Sequence, residues 1–435
     1  MQKSDASFEP YIYNDDMTEE QKTPRLAEAD RSQVRMMVMD PDRLVPENDS
    51  VRAVWAFVQS MDLSAFYEQI KSVKGEPGRP PIDPKILMAL WIQGTVDGIG
   101  SAREIARLCE MHARYQWICG GVTPGYHRLS DFRSNSDQEF DELLTDTVAV
   151  LMHKNLVTLE RVAQDGMKVR ASAGAGSFRS GKRLRELHKV AKEQVRILKE
   201  EIEQDGSAGG RRRQAARLRA AGDQARRINE ALAELPEIKK RKKSKNGKKK
   251  TEARCSTTDP DARVMKMADA GFRPALNVHL VSDTKTKVIA AVEVNNDGTD
   301  LRMAVPLAEQ LYKRHGKNPS EWLEDGGCVT LEGIDKLAGR GIRVIAPVRE
   351  PRKSGVKATE VRPTDSEAVA DWRRRMETEE AKTIYKQRGA TAELVNAHAR
   401  NHGLLQFLVR GVRKARSVML LLAITHNMRR SWALA

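Results

Sequence analysis

The sequence predicts an α/β protein with one mixed sheet, an all-α domain in front of it and a helical, coiled-coil hairpin inserted into it. Three observations carry that prediction. From Val51 to Asn155 apolar residues recur at helical spacing between tight glycine turns. From Val157 the chain runs strand, strand, strand, helix, strand, helix, strand, helix, the order of a layered α/β fold. After the first strand comes a charged stretch, residues 178–259, whose apolar residues keep three-to-four spacing in two arms.

Residues 1–48 show little periodicity and read as a flexible arm. Residues 1–50 hold 12 acidic and 6 basic residues, and the polar, acidic start is unlike a secretory signal. VRAVWAFVQSMDLSAFYEQI (Val51 to Ile70) has helical spacing. GEPGRPPIDPK (Gly75 to Lys85) is a loop whose last proline starts the helix ILMALWIQGTV. Ser101 and Glu104 form a capping-box pattern. MHARYQWICGG and RLSDFRSNSDQEFDELLTDTVAVLMHKN complete a helical domain over residues 49–155. Its short helices and glycine turns fit a helix-turn-helix unit and an ordinary bundle equally well.

A second domain, residues 156–177 and 260–435, opens with a strand from about Thr158 that continues through the alternating Lys168–Val169–Arg170. Asp165 stands in its middle, although Asp-Gly is also a turn signal. PALNVHLVSD and KVIAAVEVNN are two strands around a turn at Asp283 to Lys287. A helix from Asp300 to Arg314 follows, with Asp300 as its N-cap. Next come a short strand at Trp322–Leu323, a helix from Leu331 to Ala338, the strand IRVIAPV and a long helix from Asp365 to Lys386.

Asp325 follows a strand end, where ligands bind in α/β sheets, and two glycines after it allow a tight turn. If the strand of Asp165 lies beside it, two carboxylates meet and need a counter-charge. A divalent cation that prefers hard oxygen ligands, such as Mg²⁺, supplies one. YKQRGATAELVNAHAR (Tyr385 to Arg400) is the best source of a third acid. Glu393 and Arg400 share a helix face two turns apart, a carboxylate for the metal and a guanidinium for a phosphate. The plain alternative is an ion-rich surface helix.

The net charge is +15, and residues 178–259, with 25 basic and 12 acidic residues, supply nearly all of it. Leu184, Leu187, Ala191, Val195 (or Gln194), Leu198 and Ile202 form one arm of the hairpin. Leu218, Ala221, Ala225, Ile228, Leu232 and Leu235 form the other, with DGSAGG as the turn. KKRKKSKNGKKK (Lys239 to Lys250) has nine basic residues in twelve and reads as a phosphate-seeking tail or loop. Lys239, Lys240, Arg241, Lys242 and Lys243 are its candidate DNA contacts. Such a concentration of charge favours DNA or RNA as partner over a membrane. No apolar run reaches the roughly 18 residues of a span. Four scattered cysteines give neither a disulfide framework nor a zinc site, which fits a reducing cytoplasm. His398 and His402 stand at i and i+4 but lack the zinc-protease glutamate.

Tyr385-x2-Arg388-x4-Glu393-x6-Arg400 resembles the Tyr-x2-Arg-x3-Glu-x6-Lys signature of DDE transposases from bacterial insertion sequences. It departs by one extra residue before the Glu and by Arg for the final Lys. RVAQDGMKVRA resembles that family's first-Asp segment and WLEDGGCVTLEGIDKL its second, while LSDFRSN and LLLAITHNMRR are similar to further segments. The resemblance covers about residues 78–430 outside the hairpin.

It implies a ribonuclease-H-like catalytic domain in which Asp165, Asp325 and Glu393 form a triad holding two Mg²⁺ ions, with Mn²⁺ as a substitute. Tyr385, Arg388 and Arg400 would hold DNA phosphates, and Arg128 and Arg133 would be contacts of the helical domain. The implied activity is cutting at the terminal inverted repeats of the element and joining the 3′-OH ends to target DNA. The implied setting is a homodimer or higher assembly on double-stranded DNA, in the bacterial cytoplasm at the nucleoid. Some relatives carry a β-rich insertion between the second Asp and the Glu, for which this chain has no room. Two other readings are a domesticated, non-catalytic DNA- or RNA-binding protein and a nuclease of the same fold.

Overall fold

Seven helices come first in the computed structural model, and their ends follow from local chemistry. The structure describes residues 32, 40–70, 80–204, 211–241, 252–350 and 357–434. The predicted arm therefore lies outside the described residues up to residue 39, apart from residue 32. Asp49 caps α1 (Ser50–Gln59) by accepting the Val51 amide. The apolar run over Val51 to Ile70 is two helices, because α2 (Ser64–Glu68) starts anew after Leu63. Asp83 caps α3 (Pro84–Val96), with Pro84 in its first turn as expected. Ser101 Oγ accepts the Glu104 amide at 3.4 Å at the start of α4 (Ala102–Met111). A single residue, His112, joins it to α5 (Ala113–Cys119), which ends at Gly120 with φ of +51°. Helices α6 (Tyr126–Asn135) and α7 (Asp137–His153) complete the set.

The chain then enters β1 (Arg161–Arg170) and leaves it through a short β2 (Phe178–Ser180). The hairpin is α8 (Gly181–Gln204) and α9 (Arg211–Arg241), closed at its base by β3 (Arg254–Ser256) pairing antiparallel with β2. Leu184, Ala191, Ile228, Ala231 and Leu235 give it an apolar core of its own. The turn DGSAGG lies outside the described residues. So do Lys242 and Lys243 with the rest of the basic run to residue 250. The first part of that run is not a tail. Lys239, Lys240 and Arg241 form the last turn of α9, where Lys240 pairs with Glu237 at 2.6 Å and Arg241 with Asp297 at 2.5 Å.

The remaining elements are β4 (Arg263–Lys266), β5 (Phe272–Asp283), β6 (Ile289–Asn295), α10 (Ala304–His315), β7 (Glu321–Leu323), α11 (Leu331–Ala338) and β8 (Arg343–Ile345). After them come α12 (Glu367–Glu377), α13 (Glu379–Asn401) and α14 (Val412–Leu434). The mixed sheet runs β8-β7-β1-β5, with β6 and β4 end to end along the far edge of β5. Strands β5 and β6 form antiparallel pairs, whereas β7 and β8 run parallel to β1. Nearly every residue of β5 and β6 is buried, which is why both read as continuous apolar runs.

The long helix expected over Asp365 to Lys386 is broken. Thr378 takes an extended conformation, ends α12, and caps α13 by accepting the Ala381 amide at 3.2 Å. Apolar residues keep helical spacing on both sides, so the periodicity alone hides the break. Helix α13 packs across β1, β5 and β8, and α14 packs against α7 and β6. One apolar core runs from Trp91, Ile105 and Phe140 in the helices to Leu276, Ile289 and Trp322 in the sheet.

Candidate active site

Strands β1 and β7 pair in parallel with Arg161 opposite Glu321, Val162 opposite Trp322 and Ala163 opposite Leu323. The pairing ends at Leu323, so Asp165 and Asp325 both lie just past the paired residues. Asp165 is not in a turn, since it pairs with Leu280 in the middle of the β1–β5 ladder. Its side chain lies on the face covered by α13. There Arg388 Nη2 donates to Asp165 Oδ1 at 2.7 Å and Asn396 Nδ2 to Oδ2 at 2.6 Å. The same Arg388 nitrogen is 4.0 Å from Asp325 Oδ2, so one guanidinium stands between the two carboxylates. Burial raises the Asp165 carboxyl above its usual range and Asp300 adds to this, while Arg388, the Gly166 amide and Asn396 oppose it. Asp325 is more open and accepts the Gly327 amide at 2.6 Å. Tyr385 is half-buried on the same helix, its hydroxyl raised mainly by burial with Arg388 opposing.

The opposite face of the strand explains the glycine after Asp165. A Cβ on Gly166 would run into the Asp300 carboxylate. Asn277 Nδ2 donates to Asp300 Oδ1 at 2.6 Å, and the buried His279 brings Nδ1 to 3.9 Å from the same oxygen. The reading of Asp300 as an N-cap is therefore corrected. Helix α10 begins at Ala304, and Asp300 turns into the sheet instead.

Glu324 precedes Asp325 and is 3 % exposed, with Oε2 unpartnered. Burial, reinforced by Asp325, pushes its carboxyl up to about 8 from 4.5. Below pH 4.5 the folded and unfolded chains both hold this proton. Between pH 4.5 and about 8 only the unfolded chain ionises, so stability falls as pH rises. Glu324→Gln removes that slope. In metal-free buffer its unfolding free energy should match the wild type at pH 4 and exceed it at pH 8 by on the order of a few kcal/mol. Parallel wild-type and variant curves across that window would count against a buried neutral Glu324.

The other expected site residues fall in different places. Glu393 is exposed on α13, its carboxylate lying near Gly389 one turn back on the same helix. Among the described residues no group of three or more His, Cys, Asp or Glu side chains is placed to hold a metal ion. Arg400 is exposed on α13 and Arg128 on α6. Arg388 spends its charge on Asp165 and Asp325, not on an open surface. Arg133 is a correction, because it is only 5 % exposed. It stacks 3.9 Å from the centre of the Trp91 ring and donates to the Gly100 carbonyl at 2.7 Å, out of reach of a DNA backbone. Asn396 and Glu324 were missed, and Asp300 was read as a structural cap first and site-adjacent only second. Only Asn396 carried a usable signal, being two turns beyond Arg388 on one helix face.

Asp165 and Asp325 set two carboxylates, both hard oxygen donors, on either side of one guanidinium. That chemistry suits a divalent cation such as Mg²⁺. Two family models match the chain: a transposase domain (DUF772) over residues 39–135 and a transposase DDE domain over residues 349–432. No curated protein and no solved structure matches it. The DDE match implies a ribonuclease-H-like fold and an enzyme that cuts and joins DNA, in a family that generally works with divalent metals. The two matches together support a DDE transposase of the insertion-sequence type. No helix among the described residues is long and apolar enough to cross a membrane.

Proposed function

We propose that this transposase binds the terminal inverted repeats of its element, cleaves there and joins the 3′-OH ends to target DNA by two-metal phosphoryl transfer. Asp165, Asp325 and Glu393 are its catalytic carboxylates. The observation that supports the reading is Arg388, on the helix that bears Glu393, whose guanidinium lies 2.7 Å from Asp165 and 4.0 Å from Asp325. When bound, two Mg²⁺ ions, or Mn²⁺ in their place, supply activation of the attacking hydroxyl and stabilisation of the leaving oxygen. The rigid strands fix Asp165 and Asp325 better than loops would. Arg388 neutralises the pair in the metal-free protein, and with Tyr385 and Arg400 it grips phosphates in the DNA complex.

Residues 156–177 and 260–435 form the ribonuclease-H-like catalytic domain in this reading. The helices of residues 49–155 supply sequence-specific contact, and the hairpin of residues 178–259 adds salt-sensitive backbone affinity. The working form is a homodimer or larger assembly on DNA, in the cytoplasm at the nucleoid.

The test is cleavage of labelled DNA carrying the element's own ends, with Mg²⁺ or Mn²⁺, comparing wild type with Asp325→Asn. Metal-dependent cutting and strand joining by wild type alone, with binding kept by the variant, is the expected result. Cutting without joining points to a nuclease. Binding by both and cutting by neither points to a non-catalytic binder. Equal cutting by both removes Asp325 from the site.

A further inference from the structure

We propose that the pocket between α13 and α14 is a second, separate binding site for a phosphate group. The pocket has a volume of about 200 Å³ and is lined by Thr95, His398, His402, His426, Arg429 and Arg430, with no Asp or Glu among the described residues of its wall. A water occupies about 30 Å³ of liquid, so the space takes a phosphate and part of its hydration shell.

The charges in this pocket are unmatched. Several inward arginines of the sheet domain have acidic partners: Arg314 and Arg416 share Asp141, Arg373 holds Asp365, and Arg388 holds Asp165. Arg429 instead meets His402 Nε2, and Arg430 Nε donates to the Thr286 carbonyl at 2.8 Å. Neither guanidinium pairs with a carboxylate among the described residues. Asp97, which acts on His402 from the end of α3, is already taken up by Gln93 at 3.0 Å and Tyr115 at 2.8 Å.

The imidazoles are fixed by backbone carbonyls. His426 Nε2 lies 2.8 Å from the Lys287 oxygen and His402 Nδ1 lies 3.1 Å from the Val96 oxygen. His398 stacks with its ring centre 5.5 Å from that of His426. Burial and the two arginines push all three histidines towards the neutral form. The two guanidinium groups lack a counter-charge, which an oxyanion supplies while taking N–H donors from Arg429, Arg430 and His398, the one ring not already bonded to a carbonyl. A metal fits this place poorly, since two of the rings are bonded to carbonyls and Arg429 faces the third nitrogen.

The pocket is distinct from the Asp165 site. His398 lies two residues beyond Asn396 on α13, so its side chain leaves the helix on the α14 side while Arg388 and Asn396 face the sheet. A backbone phosphate of bound DNA and free inorganic phosphate share the required chemistry. Assigning the phosphate to DNA rests on the transposase reading, whereas phosphate affinity itself does not.

The experiment uses the full chain as wild type, Arg429→Ala/Arg430→Ala, the exposed single change Arg429→Ala, and Arg429→Lys/Arg430→Lys. Each is first checked for wild-type circular dichroism. Two readouts follow: the salt dependence of binding to double-stranded DNA, and the rise in Tm given by inorganic phosphate over chloride at equal ionic strength. The expected result is a salt slope lowered by about one unit in the alanine variants, with phosphate protection lost and the lysine variant close to wild type. Loss of phosphate protection with an unchanged salt slope supports the site and assigns it to free phosphate. An unchanged slope together with unchanged phosphate protection, in either folded alanine variant, overturns the proposal. The catalytic reading is tested separately by Asp325→Asn, so either can fail alone.

Discussion

Asp165→Asn should bind DNA as the wild type does and cleave it slower by on the order of 10³-fold or more. The substitution keeps the shape and one acceptor oxygen, so Arg388 and Asn396 retain something to contact and the strand pairing with Leu280 is untouched. The change removes the negative charge at the place where the proposed metals need it. Altering a residue that merely supports a metal ligand commonly costs about 10–100-fold, and loss of the ligand itself costs more. Cleavage and binding measured on the same labelled ends separate the two effects. A variant that cuts within tenfold of wild type would remove Asp165 from the chemistry, whatever its position in the sheet. A variant that also loses binding would mean that the Asp165–Arg388 pair is needed to hold α13 against β1.

Trp322→Ala is the second large effect, and it acts on folding. Trp322 is fully buried in β7, a strand of only three residues held between β1 and β8. Its ring N–H donates to Gln164 Oε1 at 3.1 Å, so the short strand is tied to β1 by a side chain as well as by its ladder. Truncation leaves a cavity and strands the Gln164 oxygen, and losses of this kind cost about 3–5 kcal/mol. Denaturant unfolding is the measurement, with Trp322→Phe as the milder comparison that loses the hydrogen bond but keeps most of the volume. A loss below about 1 kcal/mol for the alanine variant would mean that β7 does not depend on this anchor.

The sequence made the sheet legible because β5 and β6 are buried on both faces and bounded by a turn. In that turn Asp283 Oδ2 collects the Lys285 and Thr286 amides. It made α3 and α4 legible because Asp83, Pro84 and Ser101 are local signals that act within a few residues. The three-residue strands β2, β3 and β8 and the four-residue β4 are too short for alternation to show fully, and only β8 lay inside a longer apolar run. Asp165 was readable as an acid within a strand, Asp325 as an acid at a strand end, and Arg388 as a neighbour on α13. What one-dimensional spacing does not carry is which side chain faces which. Arg133 sits in a segment that looks basic and exposed, yet the helix phase turns it onto Trp91. Asp300 follows a Gly-Thr pair as a cap does, yet its partner is Asn277 on a strand 23 residues earlier. Glu393 and Asn396 are close on α13, and only packing decides that the amide meets Asp165.

The two-stranded neck formed by β2 and β3 has a consequence for how such a chain can change. The insertion leaves and rejoins the sheet domain through paired strands, and its apolar core is its own. Lengthening or trimming its arms therefore alters the number of residues between Asp165 and Asp325 without altering the pairing of the strands that lead to them. Sequence distance between the two acids is thus uncoupled from their separation in space. A lineage carrying this neck can remodel its outer arms freely while the acids keep their places.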